Sequence, residues 1–582
     1  MGTIYVKEFI GGLDSRRMPA CTTGGVLITA RDGHITRGGE FEKRAAFVPE
    51  YQLPPGTVGM AAVKSGLVVF GSGEAPALPE NVAYQRLIHP GGWPALVRVL
   101  SAELFAGRLY VVGEYADGTR QHFYDGVHVS DWFDGRARAS LNIHGWLDPD
   151  TDPAGLKMSV LQVDSTRLLA TEVAWAGDVD ATARAIASAV NANSGVSGYS
   201  AVSYGQTVVI VSDTAGSAYN GRTIWYAAEG LNITPVNGGA VLQAGADSGT
   251  SAFTPGTFVS TIGSKLYSVS GPNLHYSGVA QPTRWTTDVT GAGFTDMSSQ
   301  AAGSEELTAI ARYQDYIAVF AERVTQIWYV DPDPTLNKQT QTLNNTGTAS
   351  PHSVTQFGDN DIFYLDESGV RSLRARDSSN AAATTDIGVP IDTLIITQLA
   401  TMTADERAKV VGAIEPRDGR FWLAMKDIVF VFSFFSGSKV SAWSTYEPGF
   451  SIDEIDVFRR RIHVRSGNTI YVYGGYGAET VYDDVVGEAR IPFLDAGTPA
   501  ENKRWSGVDA AVEGAWEVYA SMDPADLATE EQIATVWQTT YNGNRIPMVG
   551  SSTHISLRLK SKGSGPARIG ALLIHFDGDE SG

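Results

Sequence analysis

The chain has 582 residues, 43% of them hydrophobic, with 63 glycines, 25 prolines and a formal net charge of −20. That length exceeds what one hydrophobic core fills, so several domains or one repetitive architecture are expected. A single cysteine, Cys21, excludes an intrachain disulfide and a cysteine-rich zinc site, and the acidic balance argues against a module that grips nucleic acid.

The opening MGTIYVKEFIGG lacks a basic segment followed by an apolar run, so no signal peptide is expected. No run of about 18 apolar residues reads as a membrane span. Residues 1–60 read as an N-terminal β segment. Within it lies Arg37-Gly38-Gly39-Glu40-Phe41-Glu42-Lys43-Arg44. The glycine pair makes a bend and Glu40 and Glu42 face solvent. Arg37, Lys43 and Arg44 are candidate assembly contacts, because guanidinium forks suit carboxylate partners.

Residues 61–150 begin a repeat. GRLYVVGEYADGTRQHFYDGVHVSDW, Gly107 to Trp132, places a turn before an apolar–aromatic strand, a second strand ending in Tyr124-Asp125-Gly126-Val127, and a closing Trp. GSKLYSVSGPNLHYSGVAQPTRW, Gly263 to Trp285, and GRFWLAMKDIVFVFSFFSGSKVSAW, Gly419 to Trp443, repeat the pattern. Weaker copies start at Ser65, Gln314, Asp359 and Arg459. A spacing of about 40 to 60 residues is that of four-stranded propeller blades. Stacked radially, such hairpins bury both faces and leave only short edges, with the closing Trp between neighbours. Seven hairpins predict six or seven blades, over residues 61–150 and 252–487.

Residues 151–251 differ in texture and read as an inserted α+β module. LKMSVLQ and TRLLATEVAWA are strands. In GDVDATARAIASAVNANSG, Asp180 caps a helix with Ala183, Ile186, Ala187 and Val190 on one face, and Gly195 ends it. YSAVSYGQTVVIVSD and GRTIWYAAEG are further strands. Residues 488–582 alternate strongly in WEVYASMDP, TVWQTTYNG, HISLRLKSKGSG and ARIGALLIHFDGD, a β-sandwich-like region.

The chemistry is sparse. No phosphate-cradling Gly-x-x-x-x-Gly-Lys loop, Gly-x-Ser-x-Gly elbow or His-Glu-x-x-His helix occurs. His89, His128, His275 and His463 have no partner at ligand spacing and read as structural. DPDTDPAG, Asp148 to Gly155, resembles a calcium loop only in its alternating Asp148, Asp150 and Asp152. Two prolines interrupt it and Ser159 stands where a bidentate Glu belongs, so it reads as a polar linker. DPDP, Asp331 to Pro334, is a rigid turn. DESGVRSL, from Asp366, approaches the Ser-x-Asp-x-Gly-x-x-Trp box of sialidase-type propellers but lacks the Trp. No residue is assigned to catalysis, to a cofactor or to a metal.

The stretch FIGGLDSRRMPACTTGGVLITARDGHITRGGEFEKRAAFV, Phe9 to Val48, resembles the opening of the tail nozzle (tail tubular protein B-like) family of short-tailed bacteriophages. The DATARAIASAVNA helix with the VSYGQTVVIVSDTAGSAYNG hairpin is similar to modules of phage tail proteins, and the Trp-ended hairpins fit the family. The resemblance implies a structural, non-enzymatic virion protein made in the host cytoplasm. It implies a ring of about six copies, with a portal-adaptor protein above and a needle, plug or fibre protein below. DNA would pass through the lumen without specific binding, and the net charge of −20 leads to the expectation of a wall dominated by Asp and Glu. In that setting Arg37, Lys43 and Arg44 would meet the adaptor or a neighbouring subunit. The readings that stay open are a glycan-degrading propeller and a receptor-binding tail protein.

Overall fold

The computed structural model describes residues 2–73, 76–88, 95–116, 118–129, 136–146, 152–235, 240–242, 245, 255–286, 289–298, 305–358, 361–375, 382–541 and 545–578. The chain divides into two compact units, Pro54–Asn345 and Met1–Leu53 with Thr346–Gly582. The fold is mainly β, built from blades of the propeller type.

The first unit holds four blades. Blade I comprises Val58–Val63, Gly66–Gly71 and Val82–Arg86, the last parallel to its neighbour. Blade II is a meander of Leu96–Phe105, Arg108–Tyr115, Arg120–Tyr124 and Val127–His128. Blade III is Phe258–Ile262, Lys265–Ser270, Asn273–Tyr276 and Gly293–Asp296, and blade IV is Leu307–Tyr313, Tyr316–Ala321, Val324–Tyr329 and Lys338–Asn344. In blade II, Asp125 and Gly126 both take positive φ, 52° and 78°. That is the conformation a two-residue hairpin turn needs, and Asx–Gly supplies it at least cost.

The first strand of each blade lies beside the first strand of the next, from I through IV. Facing sheets share apolar clusters. Val68 and Phe70 meet Val111 and Phe123 between I and II. Tyr267 and Val269 meet Ile310, Ile317 and Val319 between III and IV. Between II and III, Trp285 is fully buried against Tyr110 and Val112, and its Nε1–H donates to the Pro282 carbonyl at 3.1 Å. Trp132 lies outside the described residues.

The second unit holds three more blades. Blade V is Thr355–Phe357, Asp361–Asp366, Gly369–Ala375 and Ala382–Asp386; blade VI is Val411–Ile414, Phe421–Met425, Ile428–Phe435 and Val440–Tyr446. Blade VII is Glu454–Phe458, Arg461–Ser466 and Thr469–Tyr473, completed by a strand from far upstream, Phe47–Gln52. Borrowing that strand pairs an edge that would otherwise stand open. Phe363 packs edge-on to Phe421 between V and VI, with ring centroids 5.3 Å apart. Trp422 and Val431 pack with Ile462 and Val464 between VI and VII.

Within the first unit a module interrupts the blades between II and III. One of its sheets contains Arg136–Trp146, Tyr199–Tyr204, Thr207–Ala215 and Leu231–Pro235; the other centres on Lys157–Val163 and Ile224–Glu229. The helix Val179–Ala192 buries Thr182, Ala183, Ile186, Ala187 and Val190 against them. Its N-cap is Asp178, two residues before the expected Asp180, and the Asp178 carboxylate accepts from the Ala181 N–H at 2.6 Å. Asp180 sits in the first turn instead, paired with Arg86 at 3.0 Å. The helix stops at Ala192 rather than Gly195; the left-handed residue that ends the following turn is Gly198.

The C-terminal region is organised by one strand of 19 residues, Lys503–Ser521. Its two edges carry Glu531–Gln538 and Ile546–Ser552 on one side, and Ser556–Lys562 and Arg568–Gly578 on the other. Gly514 breaks the register at φ +77°, and a Cβ there would collide with the Pro566 carbonyl oxygen. The glycine lets one strand bend through a bulge and serve both halves of the region. N-terminal strands join the same sheet: Gly2–Val6 pairs with Arg568–Gly578, as does Phe41–Lys43.

Candidate functional site

The three candidate contacts have different surroundings. Arg37 is exposed, its guanidinium 3.8 Å from Asp418 and over the Phe435 ring at 5.1 Å. Lys43 and Arg44 are buried. Lys43 Nζ donates to the carbonyls of Asp483 and Gly563 at 2.7 and 2.8 Å. Arg44 Nε donates to Asp32 Oδ1 at 2.7 Å, and its Nη1 donates to Asp483 Oδ2 and the Ala45 carbonyl at 3.0 and 2.9 Å. Both cations therefore close loops of their own chain, and of the three only Arg37 presents its charge to solvent. Strand alternation accounts for Lys43: in Phe41–Lys43 the aromatic and the lysine point inward and Glu42 lies between them. Arg44 follows the strand and is held inward by Asp32 and Asp483.

Lys43 belongs to a pattern. Lys265, in blade III, is also buried, and its Nζ donates to the carbonyls of Gly291 and Pro332 at 2.8 Å each. Lys503 Nζ donates to Thr498 and Glu501 carbonyls at 2.6 and 2.9 Å. Each ammonium satisfies carbonyls that a loop leaves without a strand partner. Burial lowers the pKa of Lys43 and of Lys265.

Among the described residues the buried charged side chains are Lys43, Arg44, Lys265, Arg420, Arg465, Arg490 and Lys503 against Asp14, Asp32, Asp366, Asp392, Glu415, Glu488 and Asp509. Seven cations match seven anions, so the described core takes up none of the chain's excess of carboxylates.

Beside Lys265 a cleft of about 320 Å³ opens between blades III and IV, lined by Ser264, Tyr267, Arg312, Asp315, Tyr316 and Asp331 among others. Lys265, Arg312 and Asp331 of this lining are engaged locally. Arg312 Nε donates to the Gln314 carbonyl at 3.0 Å, and Asp331 accepts from the Tyr329 hydroxyl at 3.0 Å and from the Asp333 N–H at 2.9 Å.

The other singled-out residues serve hairpins and turns. Asp366 accepts from the Ser368 N–H and hydroxyl at 3.0 and 2.6 Å and from the Gly347 N–H at 3.2 Å, which closes the blade V turn. Asp152 accepts from the Ala154 N–H at 3.0 Å; Asp148 and Asp150 lie outside the described residues, as does His89. His275 is buried in blade III, where burial pushes its pKa down to about 3. His463 accepts or shares a proton with the Tyr476 hydroxyl at 2.6 Å, and burial lowers it to about 4. His128 bonds Gln121 at 2.7 Å. Sequence reading passed over His122. It is buried with the Tyr110 hydroxyl 2.9 Å from Nδ1 and the Trp285 ring beside it, and burial lowers its pKa to about 3. Among the described residues no group of three or more His, Cys, Asp or Glu is placed to hold a metal ion, and no helix is long and apolar enough to cross a membrane.

No protein-family model matches the chain, and no curated protein matches it. Solved structures similar to it include a putative 6-phosphogluconolactonase from Bacteroides uniformis, at 11% identity over 60% of this chain and 95% of that one, with a TM-score of 0.29. The WD40 domain of Neurospora crassa Pan2 is similar at 10% identity over 44% and 71%, with a TM-score of 0.26. The WD40 β-propeller domain of Doa1 is similar at 9% identity over 58% and 98%, with a TM-score of 0.25. At these scores the likenesses carry no argument about activity or partners.

Proposed function

We propose that the chain is a structural subunit of a phage tail nozzle, a ring of about six copies that conducts DNA during ejection. The observation that carries the proposal is the placement of charge. Among the described residues the buried charges balance, so the excess of carboxylates is not taken up by the described core and is available to the surfaces that other molecules meet. Duplex DNA binds a basic wall non-specifically with dissociation constants on the order of 10⁻⁴ to 10⁻⁶ M at physiological salt. Repeated around a ring, such contacts would hold the duplex in place. A carboxylate wall repels the phosphates and keeps a layer of water between them. The N-terminal resemblance to nozzle proteins and the blade architecture agree with this role. An adaptor above and a plug or fibre protein below are the partners it implies.

Two assays on the purified protein separate this reading from its competitors. Fluorescence anisotropy with a short labelled duplex at about 50 mM salt should show no saturable binding up to about 10⁻⁴ M protein. Binding tighter than about 10⁻⁶ M that weakens steeply with salt would overturn it. Incubation with host surface polysaccharide should release no reducing ends; turnover would move the chain to the glycan-degrading class, which needs two carboxyl groups about 5 to 9.5 Å apart.

A further inference from the structure

One branch of the large sheet of the second unit ends in two open edges. Across the first half of the long strand the order is Ile546–Ser552, Lys503–Ser521, Arg568–Gly578, Gly2–Val6, antiparallel at every step. Among the described residues neither outer strand has a second partner in the sheet: Ile546–Ser552 pairs only with Lys503–Ser521, and Gly2–Val6 only with Arg568–Gly578. The first edge is extended by Glu531–Gln538, which pairs with the far half of the same long strand.

Open edges in soluble proteins are ordinarily guarded by charge, by proline or by a covering element. Here Gly2–Val6 and Ile546–Ser552 contain no charged residue, and Pro547 is the single position without an N–H. Both present apolar groups to solvent: Val549 is 98% exposed, Tyr5 57%, and Trp537 on the extension 69%.

The two edges also match. Ile4, Ile574, Val508 and Ile546 form one row across the sheet, so the outer strands stand at the same height. Each step reverses direction, and three steps leave Gly2–Val6 antiparallel to Ile546–Ser552. A copy placed beside the first would therefore offer its Gly2–Val6 edge antiparallel to the neighbour's Ile546–Ser552 edge, the geometry of strand addition.

We infer that the Gly2–Val6 edge of one copy pairs with the Ile546–Ser552 edge of a second copy, head to tail, continuing one sheet from subunit to subunit. The match between the two edges, together with the ring reading, selects a second copy as the occupant. Two chains of net charge −20 repel wherever carboxylates meet. These uncharged edges let the copies approach without placing like charges face to face. A head-to-tail contact propagates, and it closes a ring if the rotation per step permits. The inference rests on the ring reading above only for the identity of the partner.

The test is disulfide trapping in the full chain with Cys21→Ser, which removes the one exposed native thiol. Two double variants, Val549→Cys with Thr3→Cys and Val549→Cys with Tyr5→Cys, cover alternative registers. All three side chains are solvent-exposed, so the fold tolerates them. Within one chain the two edges are three strand spacings apart, roughly 14 Å, beyond the Cα separation of about 7 Å that a disulfide spans. Oxidation should give a ladder of linked multimers from at least one double variant and none from any single variant. A dimer from Val549→Cys alone would mean that like edges pair and would overturn the head-to-tail contact. Monomer from both doubles would overturn strand addition altogether. Rings without cross-links would remove this contact and leave the conduit standing; cross-linked filaments without a channel would do the reverse.

Discussion

Replacing Arg44 by Met tests whether the N-terminal cations hold the fold. Arg44 and Asp32 have side chains 3% and 6% exposed, with a 2.7 Å bond between them. Burial raises the Asp32 pKa above its ordinary value, and Arg44 draws it back down. Arg44→Met keeps the volume and leaves a buried carboxylate with only the Glu447 N–H, at 2.9 Å, as a close donor. Breaking a buried pair from one side costs about 3–5 kcal/mol, because the remaining charge is uncompensated. The sign with pH follows. Asp32 already titrates above its unfolded value, and losing Arg44 raises it further. The stability linked to this carboxyl is then full below the unfolded pKa of about 4 and is lost as pH rises through the folded value. The deficit of Arg44→Met should therefore be larger at pH 8 than at pH 5. Equilibrium urea unfolding at the two pH values, followed by tryptophan fluorescence, reads it. The double variant Asp32→Asn with Arg44→Met should recover most of the loss, since a neutral pair leaves no buried charge. A variant as stable as the parent, or one equally destabilised at both pH values, would refute the reasoning.

Two further outcomes follow from the second unit. Glu454, in the first strand of blade VII, has its pKa pushed up to about 7 by burial, against the pull of Arg465. Its contribution is full below about pH 4.5 and lost as pH rises through 7, so Glu454→Gln should raise the thermal midpoint at pH 8 and leave it unchanged at pH 4.5. Gly514→Ala forces a Cβ against the Pro566 carbonyl at positive φ and should cost about 1–3 kcal/mol, read as a lower urea midpoint, whereas Gly437→Ala, in open space, should not.

Local periodicity made part of this architecture legible. Apolar–aromatic hairpins followed by a closing Trp marked blades II, III and VI, and 3.6-residue spacing marked the buried face of the module helix. The strand Arg136–Trp146 also carried a signal, because Ala137, Ala139, Leu141 and Ile143 alternate inward, but small residues read weakly as a core face. What was hidden was non-local. Nothing within Phe47–Gln52 shows that its partner is Thr469–Tyr473, more than 400 residues away. Lys43 and Arg44 look like surface charge because their acceptors, Asp483 and Gly563, are equally remote in sequence. A single sequence shows that a cation is present and gives no sign of the carbonyls that will surround it.

The conduit account is tested most directly by imaging the assembled protein at a resolution that places side chains. The account predicts a closed ring whose channel admits a B-form duplex and is walled mainly by Asp and Glu. A channel ringed by Lys and Arg, or particles with no channel, would contradict it.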